Sequence, residues 1–194
     1  AYAAGQRIFG ESRPQELAAK YEALPKDIEW HMIGHLQTNK VKLIAPFVAL
    51  IHSADSERLI RVINDEAIPN GRVIDILLEI HVADEETKSG WTYDALLKYV
   101  KSGALAAMKG VRVRGVMGIA TYTSNEFRVR LDFELLQQYK KELEAYFDSS
   151  FDTLSMGMSD DYPLALDYGT TMVRIGSLIF GKRDYAAAEK EATV

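Results

Sequence analysis

Short apolar runs alternate with longer amphipathic stretches along the chain, and most apolar runs are followed by a loop and then by a helical period. This alternation is typical of βα units, in which helices connect parallel strands, rather than of hairpins. The pattern predicts an α/β fold with a parallel sheet. The predicted strands are Arg7–Phe9, Glu29–Ile33, Ala49–His52, Val73–Val82, Val111–Ile119, Thr153–Met156 and Met172–Ile175.

Amphipathic stretches between these strands predict the connecting helices. Pro14 stands where proline favours a helix start. The longest stretch carries an apolar stripe formed by Val129, Leu136, Tyr139, Leu143 and Tyr146, which is expected to pack on the core. The predicted helices are Pro14–Leu24, Asn39–Phe47, Ser56–Asn64, Tyr93–Ser102, Asn125–Phe147 and Asp160–Tyr168.

Seven strands in alternation with helices suit two architectures, a doubly wound sheet or a (βα)8 barrel lacking one unit. Residues Ala1 to Gly5 have the pattern of a helix end, so a strand and most of a helix before Ala1 would restore eight units. No glycine-rich dinucleotide fingerprint follows an early strand, which removes the usual support for the doubly wound sheet. We therefore expect a (βα)8 TIM-type barrel, with residues 1–194 forming a single domain whose first strand precedes Ala1.

Composition narrows the function classes. The chain has 194 residues with 28 acidic and 23 basic side chains and no basic block, which argues against nucleic acid as a partner. It has no cysteine, which excludes disulfides and suits a reducing cytoplasm. The longest apolar stretch, Val73–Val82, is too short to cross a bilayer. The four histidines show no zinc-site spacing, so no metal is expected. The sequence predicts a soluble cytoplasmic protein without a membrane partner.

The loops after the last two strands are candidates for anion binding, because phosphate sites of such barrels often lie there. The first loop runs through Gly157 into a helix that Ser159 is placed to cap. Gly176 and Ser177 offer a second set of amide donors. The alternative is a well-capped helix without a ligand, since Asp160 and Asp161 themselves complement the helix dipole.

Arg174 lies inside the apolar run Met172–Ile175, so its side chain is expected to point into the barrel and to need an acceptor there. Either a ligand or a structural carboxylate would satisfy it. His31 and His81 also lie in predicted strands, where a histidine is more often a hydrogen-bonded core residue than a ligand.

Several sequence motifs occur in order over nearly the whole chain. They are Ala4–Glu11, Trp30–Gly34, Leu36–Lys40, Lys88–Gly90, Arg114–Ile119, Leu154–Asp161, Met172–Gly176 and Ile179–Tyr185. With these motifs the chain resembles the pyridoxal phosphate homeostasis proteins, single-domain relatives of the N-terminal barrel of alanine racemase.

The resemblance implies a barrel that binds pyridoxal 5′-phosphate and acts in vitamin B6 and amino-acid homeostasis without robust enzymatic turnover. It places the phosphate against Ser155, Met156, Gly176 and Ser177, and Arg174 against the pyridine nitrogen. We also expect a monomer, with pyridoxal-phosphate-dependent apoenzymes as recipients of the cofactor. A guanidinium keeps its proton, so it donates to that nitrogen, leaves the ring uncharged and disfavours strong carbanion chemistry.

Two positions depart from the family pattern. The family's Schiff-base lysine ends the first strand, so that lysine is expected upstream of Ala1. Ser12 stands where the family usually has asparagine near the phosphate, and its hydroxyl has a shorter reach.

Two enzymatic alternatives stay open. The first is a racemase-like catalyst on the same barrel, for which Tyr122 and His31 are the candidate acid/base residues. The second is a barrel enzyme for a phosphorylated sugar, for which the sequence shows no convergent pair of acids.

Overall fold

The computed structural model describes residues 1–181, and it contains one sheet of seven parallel strands. The last family-like motif, Ile179–Tyr185, therefore lies partly outside the described residues. All seven predicted strands are confirmed, with ends that differ by a few residues. They are β1 Ile8–Glu11, β2 Glu29–Met32, β3 Leu50–Ala54, β4 Ile74–Glu79, β5 Val111–Met117, β6 Thr153–Met158 and β7 Met172–Arg174.

The strands pair in strict sequence order, from β1 beside β2 to β6 beside β7. A doubly wound sheet reverses its strand order at a switch point, so this order excludes that architecture. The sheet is instead a nearly closed barrel surrounded by helices. Within residues 1–181, β1 and β7 each pair on one side only.

Helices follow the strands, but several are shorter than the sequence predicts. The predicted helix Asn39–Phe47 reduces to a 3₁₀ turn, Thr38–Lys40, followed by Val41–Ile44. Short helical turns also occur at Tyr2–Ala4, Ile68–Asn70, Leu105–Ala107 and Glu144–Tyr146. The helices are α1 Pro14–Ala23, α2 Val41–Ile44, α3 Glu57–Ala67, α4 Tyr93–Lys101, α5 Glu126–Leu143, α6 Tyr162–Leu166 and α7 Ser177–Phe180. Within residues 1–181, none of them is long and apolar enough to cross a bilayer.

The apolar stripe predicted for the longest helix, α5, packs on the core as expected except at its last residue, Tyr146. Val129, Leu136 and Leu143 are buried in the main core, and Tyr139 packs against it. Tyr146 is largely exposed because α5 gives way after Leu143 to a 3₁₀ turn, which changes the angle between successive side chains.

Strands β2 to β6 are largely buried on both faces, as a parallel sheet requires, whereas β1 and β7 at its edges are partly exposed. Residues such as Ile51 and Ile76 pack in the main core beneath the helices. A second, smaller cluster consists of Leu50, Leu77 and Met117, with Ile119 and Met172 against it. Because side chains alternate between the faces of a strand, this second cluster fills the inside of the barrel.

Gly115 allows β5 to lie against β6. Its φ of +153° is one that side chains rarely adopt, and a Cβ there would lie 1.8 Å from the carbonyl oxygen of Thr153. Gly115 pairs with Thr153 in the ladder, next to a register shift between β4 and β5. An added methyl group would therefore push the two strands apart.

We expect Gly115→Ala to lower the free energy of unfolding by about 2 kcal/mol more than Gly103→Ala, as measured by urea denaturation. Gly103 also has a positive φ, +76°, but open space around its Cβ position, so it controls for the backbone penalty alone. Equal losses in the two variants would contradict the proposed clash between strands.

Candidate ligand site at the carboxyl end of the barrel

The loops after β6 and β7 lie side by side, as the sequence predicts. Met158 and Arg174 are partners at the carboxyl ends of the two strands. Beyond them, the amide of Gly176 donates a hydrogen bond to Ser159 Oγ at 3.2 Å. This bond joins the second loop to the first and brings their polar groups to one side of the barrel mouth.

The prediction that Ser159 caps the following helix is wrong. That helix begins at Tyr162 with Asp161 at its N-cap position, and the Asp161 carboxylate accepts from the amide of Met158 at 2.6 Å. Asp161 thus closes the turn within the loop, and Ser159 is left to contact Gly176. The tight turn also needs Gly157, where a Cβ would lie 2.8 Å from that of Ala165.

Ser177 is exposed and begins α7. Neither its amide nor its hydroxyl has a hydrogen-bond partner within residues 1–181. The Gly176 amide is used by Ser159, and Gly176 is also exposed. This loop therefore presents free donors to solvent beside the end of β7.

Arg174 is part-buried and points into the barrel, as predicted. Its Nη1 donates to Ser155 Oγ at 2.7 Å and its Nη2 to the carbonyl oxygen of Gly118 at 3.1 Å. Burial lowers the pKa of Arg174 to about 10, opposed by the more distant Asp161 and Glu79. The guanidinium therefore stays charged at neutral pH.

No carboxylate of residues 1–181 lies within ion-pair distance of Arg174, so the alternative of a structural ion pair is wrong for this part of the chain. A guanidinium has five N–H donors, and within residues 1–181 only two of them are bonded to protein acceptors. In this part of the chain the arginine thus has unused donors and no ion-pair partner.

Ser155 and Met156 are both fully buried, and their side chains point in opposite directions. Met156 packs in the main core beneath the helices. Ser155 pairs with Met117 and Met172, which face the barrel interior. Its hydroxyl lies between Arg174 and His52, so that side chain already has partners.

His52 was not singled out from the sequence, although the pattern contains a signal for it. It follows Leu50 by two positions in β3 and so shares the inner face of the strand. Its Nδ1 lies 3.0 Å from Ser155 Oγ, and its Nε2 lies 3.1 Å from Nδ1 of His31. His31 is 3% exposed, which agrees with the core alternative.

Ser12 directly follows β1 and is exposed, with no hydrogen bond to its hydroxyl within residues 1–181. A Cβ on Gly34 would lie 2.5 Å from the Ser12 carbonyl oxygen, so the chain after β1 is pressed against the chain after β2. Tyr122, in the loop after β5, is 88% exposed.

Lys88 has local partners in the loop after β4. Its Nζ lies 3.0 Å from Glu85 and donates to the carbonyl oxygen of Ala120 at 2.8 Å. Bonds from the Tyr122 amide and Lys88 lower the pKa of Glu85 to about 2, so Glu85 is charged at neutral pH. Lys88 is therefore neutralised by Glu85.

A cavity of about 160 Å³ lies beside this loop, with Glu79 and His81 in its lining. Ser89 donates to Glu79 Oε1 at 2.8 Å, while Oε2 has no partner within residues 1–181. Burial raises the pKa of Glu79. In the same residues no group of three or more acidic or histidine side chains is arranged to hold a metal.

Comparison with known proteins places this geometry in a family. The family model described as "Alanine racemase, N-terminal domain" matches residues 1–184. A "Pyridoxal phosphate homeostasis protein" of Aquifex aeolicus is 42% identical over 185 residues, covering 95% of this chain and 80% of that protein. The protein of the same name from Haemophilus influenzae is 36% identical, covering 98% of this chain and 81% of its own length.

Solved structures agree. PipY of Synechococcus elongatus, with PLP bound, superposes with a TM-score of 0.82 at 34% identity, covering 93% of this chain and 84% of PipY. Alanine racemase from Bartonella henselae, at 15% identity and a TM-score of 0.65, shares the fold over 94% of this chain and 50% of its own.

Strand order and the matched model together define a barrel domain of the alanine racemase type. Within that class, the chain belongs to the pyridoxal phosphate homeostasis protein family.

Burial of the two interior histidines makes the stability of the protein dependent on pH. Burial lowers the pKa of His31 and lowers that of His52 well below its ordinary value of 6.5. As pH falls through about 6.5, the unfolded chain takes up protons that the folded chain does not. The free energy of unfolding is therefore expected to decrease, by up to about 1.4 kcal/mol per pH unit for each such proton.

Urea titrations between about pH 7.5 and pH 5.5 measure this slope. His52→Asn is expected to reduce it, because one of the two histidines is gone. The raised pKa of Glu79 contributes with the opposite sign, but that contribution is common to both proteins and cancels in their difference. The same slope in the wild type and the variant would contradict the prediction.

Proposed function

We propose that this chain binds pyridoxal 5′-phosphate at the barrel mouth and acts as a carrier in vitamin B6 and amino-acid homeostasis, without robust turnover. The site is lined by Ser12, Ser155, Met156, Arg174, Gly176 and Ser177. The phosphate lies beside Gly176 and meets the exposed amide and hydroxyl of Ser177, with the main chain of Ser155 and Met156 behind them. Arg174 meets the nitrogen of the pyridine ring.

The observation that carries this proposal is that Arg174, within residues 1–181, has no ion-pair partner and lies beside a loop with unused donors. A phosphate accepts several N–H and O–H bonds, and Ser177 has both an amide and a hydroxyl to give. A pyridine nitrogen accepts one bond, for which the guanidinium has donors left. These residues therefore fit both ends of the cofactor.

The bound cofactor supplies an aldehyde that reacts with amines and a ring that withdraws electrons. Arg174 limits the second property, since it donates a hydrogen bond without giving up its proton and the ring nitrogen stays uncharged. A carrier needs the cofactor held and released rather than activated. The arginine therefore suits storage and transfer of the cofactor. In this proposal the protein is a monomer that delivers the cofactor to pyridoxal-phosphate-dependent apoenzymes in the cytoplasm.

The racemase alternative lacks a well-placed second base among its two candidates. Tyr122 is almost fully exposed, and no contact within residues 1–181 holds its hydroxyl. His31 is enclosed between Glu29 and His52, below the mouth. Neither is held facing the site in the way that proton transfer at a defined carbon requires.

We further propose that an eighth strand lies between β7 and β1 and carries the Schiff-base lysine upstream of Ala1. Both strands have one unpaired side within residues 1–181, and about a fifth of the length of the relatives from Aquifex and Haemophilus lies outside the matched stretch. A closed barrel has no such edges. Sequencing the protein's amino terminus tests this, and an intact protein that starts at Ala1 would refute it.

The phosphate position is tested by adding a negative charge to it. Titration of the wild type with pyridoxal 5′-phosphate, followed by absorbance, is expected to saturate. Ser177→Asp is expected to weaken binding by about 100-fold, because a carboxylate would repel the phosphate. Ser149→Asp adds the same charge at an exposed turn before β6, at the opposite end of the barrel, and is expected to bind like the wild type. No saturation of the wild type, or equal losses in the two variants, would refute the site.

The absence of turnover is tested by α-hydrogen exchange. Amino acids incubated in deuterated water with the cofactor-loaded protein are expected to keep their α-hydrogens over many hours, as followed by proton NMR, because the site lacks an opposing base. Exchange or racemisation at several turnovers per second would favour the enzymatic alternative.

A further inference from the structure

Five polar side chains form a continuous hydrogen-bonded path through the inside of the barrel. The path begins at Arg174, whose Nη1 is 2.7 Å from Ser155 Oγ. It continues from Ser155 Oγ to His52 Nδ1 at 3.0 Å and from His52 Nε2 to His31 Nδ1 at 3.1 Å. It ends at Glu29, whose Oε1 is 3.2 Å from His31 Nε2. The path connects the proposed site with the amino-terminal end of β2.

The two ends impose a single direction on this path. Arg174 has only donors, so Ser155 Oγ accepts from it and turns its own hydrogen towards His52. A charged Glu29 has only acceptors, so His31 donates through Nε2. A neutral imidazole has one donor nitrogen and one acceptor nitrogen, so His31 accepts through Nδ1 from the Nε2–H of His52. His52 in turn accepts through Nδ1 from the Ser155 hydroxyl. Both histidines therefore carry their hydrogen on Nε2, and every bond of the path has one donor and one acceptor.

We propose that Glu29, His31 and His52 are positioning residues that hold the Ser155 hydroxyl as an acceptor for Arg174 and so orient the guanidinium towards the bound cofactor. This inference rests on the proposed function for its consequence, but the path itself lies within the protein. If His52 had the other tautomer, its Nδ1–H would face the Ser155 oxygen together with Arg174. Ser155 would then have two donors and no acceptor for its own hydrogen.

Charges around the path support neutral histidines. Asp75 and Glu29 act on His31 and favour its charged form, but burial outweighs them. His52 faces only His31 and the positive Arg174, and both add to the effect of burial. A proton on His52 would therefore meet the charge of Arg174 across one hydroxyl group. The path is stable in its directed form at neutral pH.

Nitrogen NMR of the histidine side chains tests the direction without any cofactor. In protein labelled with ¹⁵N at histidine, both His31 and His52 are expected to be neutral at pH 7 with the hydrogen on Nε2. In Ser155→Ala the Nδ1 resonance of His52 is expected to move, because its donor is gone. Ser53→Ala is the matched control, since Ser53 is also buried in the barrel wall but donates to Gly34. A hydrogen on Nδ1 of His52, or a charged His52, would overturn the proposal.

Cofactor affinity tests the positioning role. Ser155→Ala and His52→Leu are each expected to weaken binding of pyridoxal 5′-phosphate about 5-fold, the effect of one lost hydrogen bond. The double variant is expected to lose no more than either single variant, because both break the same path. His52→Asn is expected to recover part of the loss, since its amide oxygen can replace the Nδ1 acceptor.

Two results would show a merely structural role and overturn the proposal. One is that the losses of cofactor affinity in Ser155→Ala and His52→Leu add up in the double variant. The other is that His52→Asn and His52→Leu bind the cofactor with equal affinity. Failure of the proposed function is distinguishable, since a wild type that does not bind pyridoxal 5′-phosphate refutes that function whatever the histidine spectra show.

Discussion

A positive charge held inside the barrel, without an ion-paired carboxylate among residues 1–181, is the constraint around which the site is organised. Arg174 ends the short strand β7 and is fixed by one hydroxyl and one carbonyl oxygen, from Ser155 and Gly118. These neutral acceptors orient the guanidinium but do not neutralise its charge. Burying a charge in this way is unfavourable unless something else interacts with it. In the proposed function, a ligand with acceptors, bound at the mouth, supplies that interaction.

The inside of the barrel is arranged to support this charge. Leu50, Leu77 and Met117 form an apolar cluster in its middle. The hydrogen-bonded path that begins at Arg174 runs through the same interior and ends at Glu29, whose side chain is half exposed to solvent. Such a path orients its members cooperatively, and each link depends on the next. The position of Arg174 therefore depends on residues far from the mouth.

Binding and catalysis place different demands on this geometry. A phosphate and a ring nitrogen need only donors, and the loop at Gly176 and Ser177 together with Arg174 has them. Proton transfer at carbon needs a second base held at a defined distance. The exposed Tyr122 and the enclosed His31 do not meet that need. This difference is the basis of the proposed carrier role.

The order of strands, the parallel sheet and the inward direction of Arg174 follow from the sequence alone, because they depend on local periodicity and on polar residues inside apolar runs. The family could also be identified from the sequence, because each of its motifs is a short run of consecutive residues. Helix lengths, the contact of Ser159 with Gly176, and the role of His52 were decided only by the tertiary structure. His52 and Ser155 are separated by 103 positions, and their hydrogen bond exists only because β3 and β6 face each other across a curved sheet.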